Sequence, residues 1–140
     1  MAEAMHPFET LKRLGSQRAI GVYLRPPASA AAIRQMQADA QEAWGEPVPE
    51  EYLVLLRITN GVQINGAYFK EAANLVPENK DVFDPQVMVL GNSGSVDWYL
   101  FDRQDRQFHI TTMGSPNDRF GSFQTFAALL NAVFSQQQVL

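Results

Sequence analysis

The chain has 140 residues, of which 46% are hydrophobic and 19% charged, and it contains no cysteine. This composition fits one globular domain of ordinary size and excludes a disordered chain, a disulfide framework and a thiolate metal site. The net charge of −4 is uneven, with +3 over residues 1–38 and −7 over residues 39–140, a balance that repels nucleic acid and suits a basic protein partner.

No window approaches ~18 uninterrupted apolar residues and the N-terminus has no apolar core of signal-peptide length, so a cytoplasmic protein without a membrane span is expected. Along the chain, Met5 to Leu14 predicts a short helix, with Phe8, Leu11 and Leu14 at helical spacing and Gly15 as its stop. Ala19 to Leu24 reads as an edge strand or a packed loop, ended by Pro26 and Pro27. Ser29 is an N-cap for a helix over Ala30 to Trp44, in which Ile33, Met36, Ala40 and Trp44 share a face. Trp44 is expected in the core. Pro49 opens a second helix, Glu50 to Ile58, whose first-turn carboxylates suit the helix dipole. Asn60-Gly61 closes it.

The period then changes. Val62 to Ile64 and Ala67 to Phe69 flank Asn65-Gly66, a strong short-hairpin signal. Glu71 to Pro85 is polar and holds two prolines, which predicts an irregular connection. Gln86 to Gly91 reads as a buried strand, and Val96 to Asp102 with Gln107 to Thr112 as a second hairpin around residues 103–106. Aromatic residues on both faces of Val96 to Asp102 make that strand central. Gly114 to Gly121 looks turn-rich. Ser122 is the expected cap of a last helix carrying Phe123, Phe126, Ala127, Leu130 and Phe134, and the tail from Gln136 is expected to fray. Helices, then antiparallel strands, then a helix argue for an α+β fold.

Chemistry-bearing constellations are sparse. Two distant histidines, His6 and His109, do not make a zinc site, and the nearest carboxylate pair, Asp81 and Asp84, lacks the calcium-loop pattern. Alternation places His109 with Gln107 and Thr111 on a wet sheet face, with Phe108 and Ile110 inward. Residues 91–95, GNSGS, precede a strand and not a helix, so they read as a tight connection and not a phosphate cradle. No metal or cofactor is expected.

Val48-Pro49-Glu50-Glu51-Tyr52-Leu53, Leu55-Leu56 and Thr59-Asn60-Gly61 resemble the proline-led helix, closed by an Asn-Gly turn, of the SUKH superfamily. Val89-Leu90-Gly91-Asn92-Ser93-Gly94, Asp97-Trp98-Tyr99 and Asp102 resemble its strand pair, and Ser122 to Phe126 the opening of its last helix. The resemblance covers roughly residues 29–135. It implies a single α+β domain over residues 1–140, with an antiparallel or mixed sheet of about four to six strands packed by about four helices.

Bacterial members are mostly immunity proteins that bind and neutralise a toxin domain, often a nuclease or deaminase; fungal members are interaction modules in cell-wall-synthesis signalling. The acidic excess fits the first role. The expected partner surface comprises Glu46, Glu50, Glu51, Glu71, Glu78, Asp81 and Asp84, with Tyr68 or Phe69 as an aromatic anchor. The alternatives are a housekeeping scaffold module with a cellular protein partner, and a hydrolase using His109 with Asp105 or Asp97.

Overall fold

The computed structural model describes residues 6–17 and 21–138; Met5, Ala19, Ile20, Val139 and Leu140, which the expected elements include, lie outside them. Helix α1 spans Pro7–Ser16 and runs through the expected stop at Gly15. A short strand, β1 (Val22–Leu24), follows. Helix α2 is Ala30–Trp44; Ser29 Oγ accepts from the Ala32 amide at 3.0 Å, and Gly45 terminates the helix at φ 75°. Trp44 packs half-buried against the core edge. Helix α3 is Glu50–Ile58, ending at Thr59 with Gly61 left-handed behind it.

Strands β2 (Val62–Ile64) and β3 (Ala67–Phe69) form the expected hairpin. Asn65 and Gly66 take φ 47° and 94°, the paired positive angles of a primed two-residue turn.

The segment expected to be irregular is ordered. Helix α4 (Ala72–Glu78) and a 3₁₀ turn (Asn79–Asp81) occupy its first two-thirds. Pro77 lies in the last turn of α4, where it forgoes one helical hydrogen bond, and buried Ala72, Leu75 and Val76 offset that loss by packing the helix against α2. Its N-terminus is capped from a distance: Asn60 Oδ1 accepts from the Ala72 amide at 2.9 Å.

Strands β4 (Val87–Asn92), β5 (Asp97–Asp102) and β6 (Gln107–Thr112) match the expected strands. The run that looked turn-rich is a nine-residue strand, β7 (Ser115–Phe123). Its Pro116 and Gly114 mark the start of an edge strand with two register shifts, where a missing ladder donor is tolerated. Ser122 and Phe123 therefore belong to β7, and the last helix, α5 (Phe126–Gln136), is capped by Thr125, whose side chain accepts from Ala128.

The seven strands of the described residues form one antiparallel sheet in chain order, β1 to β7. The architecture is α+β, with β7 and α4 as the elements beyond the expected number. The helical layer covers one face. Phe126 of α5 lies at its centre, with ring centroids 5.3 Å from Tyr52, 5.5 Å from Phe69 and 5.7 Å from Phe108. The opposite face carries a smaller cluster, Val87, Val89 and Leu100 with Val82 and Trp98 packed on it. Strand β5 is accordingly covered on both sides, as its two-faced aromatic pattern requires.

Candidate functional site

The expected carboxylates separate into two groups once their partners are known. Glu46 is held by Arg106 at 2.6 Å and lies 3.5 Å from Arg103; Glu50 pairs with Arg57, Glu71 with Arg25 and Glu78 with Lys70. Glu51 accepts from the Phe126 amide at 2.9 Å, tying α3 to the start of α5. These five serve the fold. Phe69 is 0% exposed and stacks on Tyr99 in the core, so it is no anchor; Tyr68, its neighbour on the other face of a short inner strand, is half-buried.

Asp81 and Asp84 differ. Among the described residues neither has a Lys, Arg or His nitrogen within 4.0 Å. The same holds for Asp39 and Glu42 on α2, which lie outside the expected partner surface. Three adjoining depressions connect these carboxylates. One of about 390 Å³ lies between α2 and α4, lined by Asp39, Glu42, Val76 and Lys80. A second, about 250 Å³, shares Val76 and Lys80 with it and continues to Val82 and Asp84. A third, about 280 Å³, is lined by Asp81, Val82, Phe83, Asp84, Trp98, Gly114 and Pro116. The result is an acidic band from the α2–α4 side to the outer face of β5, with Lys80 as the cation in its lining.

Phe83 projects from this band. It is 102% exposed, while Trp98 beside it is half-buried. An apolar ring held wholly in water contributes nothing to the fold by burial, so its place in the loop has to be explained otherwise. The loop itself is fixed. Asn79 anchors its start on β4, and Arg103 Nη1 donates to the Pro85 carbonyl at 2.7 Å while Nη2 donates to the carbonyl of Trp44. The signal for Phe83 in the sequence was a lone aromatic between two aspartates in a polar connection.

His109 is not the wet surface residue that alternation predicted; it is 2% exposed. It does point to the outer face, opposite Leu100 and Ser122, but Arg119 of β7 folds over it. His109 Nδ1 lies 2.8 Å from Ser122 Oγ, and Nε2 lies 2.9 Å from Asp105 Oδ2. Asp97 is on the β5 end away from this group and accepts instead from Gln136. Arg119 Nη1 is 2.9 Å from Nε2, 3.5 Å from Nδ1 and 2.9 Å from Asp105 Oδ2, and Nη2 donates to Asp102. Similar distances to both ring nitrogens put Nη1 over the ring, off either lone-pair axis. The protonation consistent with these partners has Nε2–H donating to Asp105 and Nδ1 accepting from the Ser122 hydroxyl.

A hydroxyl, an imidazole and a carboxylate in sequence are the parts of a nucleophile relay. In such a relay the imidazole must be reachable where the hydroxyl meets a substrate, whereas here His109 is 2% exposed and the Arg119 guanidinium lies over its ring. Asp105, the orienting carboxylate, is already shared with Arg119. The arrangement instead locks β7 onto the β5–β6 turn. Burial opposes charge on Asp105, but the Gln107 amide, Arg119 and His109 outweigh it and hold the carboxyl below its ordinary range. Burial also opposes the Arg119 charge, and Asp102 and Asp105 outweigh it and raise the guanidinium pKa. Asp102, Asp105 and His109 bring ligand atoms within 4.8 Å of one another; the space a cation would bridge is filled by Arg119.

Among the described residues no helix is long and apolar enough to cross a membrane. No protein-family model matches the chain, and no curated protein shows significant similarity to it.

Proposed function

We propose that this chain acts by binding a basic protein, and that it is an immunity protein neutralising a toxin domain, such as a nuclease, by occupying its surface. The observation behind this reading is the sorting of the carboxylates. Most acidic residues of the expected surface are neutralised within the fold, whereas Asp39, Glu42, Asp81 and Asp84 have no close cation among the described residues and lie along one band. Unneutralised charge on one face steers a partner of opposite sign and speeds its association. The guanidinium over His109 supports a binding role over a hydrolytic one. The resemblance to SUKH immunity proteins supplies the toxin.

The test is co-expression with the product of the neighbouring gene. Rescue of growth and a stable complex are expected, with an association rate that falls about tenfold when Asp39, Glu42, Asp81 and Asp84 are all changed to Asn, and that falls with added salt. A complex formed only with a cellular housekeeping protein, with no rescue, would replace this reading by the scaffold one.

A further inference from the structure

The third depression has a more specific chemistry than the rest of the band. Its floor and walls are apolar or aromatic: Val82, Phe83, Trp98 and Pro116. Its acidic rim is Asp81 and Asp84. At about 280 Å³ it lies below the roughly 300–1,000 Å³ of pockets for drug-sized ligands, and suits a single side chain. Asp84 spends one oxygen on the Gln86 amide, 2.8 Å away, which fixes the carboxylate and leaves the second oxygen unused among the described residues. Asp81 is exposed and makes no side-chain hydrogen bond among the described residues.

We propose that this notch is a recognition site for an arginine side chain presented by the partner protein. The inference rests on the reading that the acidic band receives a basic protein. An apolar stem, a planar cationic head and a need for carboxylates at its edge are what the notch complements. Arginine stacks its guanidinium on aromatic faces and offers paired donors to carboxylates. Lysine carries a compact, strongly hydrated charge that gains less from an aromatic wall. Phe83 acts as the movable wall, since none of the described residues packs on it, and closing it on a bound side chain buries a ring now fully in water. The site needs no rearrangement of the sheet, because Asn79 and Arg103 already hold both ends of the loop.

The experiment uses the full chain, ¹⁵N-labelled, titrated with acetyl-Gly-Arg-Gly-amide and with its lysine and citrulline counterparts. The arginine peptide is expected to shift the Trp98 indole N–H and the amides of residues 81–84 and 114, with a Kd at least about tenfold below that of the lysine peptide. Citrulline, which keeps the shape and loses the charge, is expected to shift none of them. Phe83→Ala, which removes a fully exposed ring and leaves folding intact, and Asp81→Asn are each expected to weaken binding by at least about threefold. Shifts confined to other residues, an absence of shifts, or binding indifferent to both substitutions overturn the site. Equal binding of the arginine and lysine peptides overturns the arginine assignment while leaving the acidic face as a receiver of basic proteins. That underlying reading falls separately, if the co-expressed complex ignores the four-fold Asn substitution.

Discussion

Asn79 completes the backbone of Val89 with one side-chain amide: its Oδ1 accepts from the Val89 N–H at 2.8 Å and its Nδ2 donates to the Val89 carbonyl at 2.9 Å. Strand β3 pairs with β4 only at Gly91 and Asn92, so the first half of β4 would otherwise lack a ladder partner on that side. The same amide also bonds the Leu75 carbonyl at 2.8 Å, joining the end of α4 to the sheet. Phe83 and its flanking aspartates are thereby carried on a pinned segment.

Asn79→Ala leaves a buried N–H and carbonyl of Val89 without partners, and is expected to cost about 1–3 kcal/mol. Amide exchange over residues 80–86 should accelerate more than exchange in β5 and β6. Denaturant unfolding and residue-resolved hydrogen exchange check this. Unchanged protection over 80–86 would show that Arg103 alone holds the loop.

Removing Arg119 separates the lock from the relay. Arg119→Met leaves the Asp102 carboxylate, 8% exposed, without its cation, at a cost of about 2–4 kcal/mol. Ser122→Ala leaves Nδ1 of buried His109 without its donor and is expected to cost about 1–3 kcal/mol. Hydrolysis of an aryl acetate should be no faster with the wild-type chain than with Ser122→Ala. A serine-dependent rate would return the group around His109 to the class of active sites.

The acid side of the stability curve should depend on Asp105. Its folded-state carboxyl titrates below the ordinary 3.8, despite burial, because the Gln107 amide and Arg119 favour the charged form. A lowered carboxyl pKa contributes stability that is present above 3.8 and is lost as pH falls through the folded value. Asp105→Asn should flatten the fall in Tm on acidification. The effect is modest, because the side chain is 38% exposed and screened by solvent.

The elements legible in the sequence were those whose local signals and tertiary roles agree. Ser29 caps α2 as its type predicts, and Asn65-Gly66 turns the first hairpin because only such residues accept two positive φ angles cheaply. Misreadings arose where packing overrode local chemistry. Pro77 suggested a loop, but Leu75 and Val76 bury against α2 and hold a helix around it. Pro116, Asn117 and Gly121 suggested turns, yet pairing with β6 makes them an edge strand. That strand brings Arg119 over His109, so the burial of His109 depends on a partner ten residues away that no alternation pattern contains. The candidate site was half legible: Asp81 and Asp84 by charge, Phe83 only by its isolation. Which other carboxylates were already neutralised could be read only from distances.

The alkaline side should be governed by Tyr99 and Tyr52. Burial pushes the Tyr99 phenol up to about 12, and burial likewise raises Tyr52 well above 10.0. Tyr52 sits wholly in the core, its hydroxyl donating to the Lys70 carbonyl at 2.6 Å. Between 10.0 and about 12 the folded chain keeps a proton on Tyr99 that the unfolded chain has released. Stability that is complete below 10.0 therefore declines as pH rises. The urea midpoint should fall between about pH 10 and 12, with a slope that Tyr99→Phe reduces because it removes one of the retained protons. Phenolate absorbance should report Tyr52 ionising only together with unfolding. A Tyr52 phenolate signal that develops while the chain remains folded would place that hydroxyl in contact with water, and would contradict its position beneath α5.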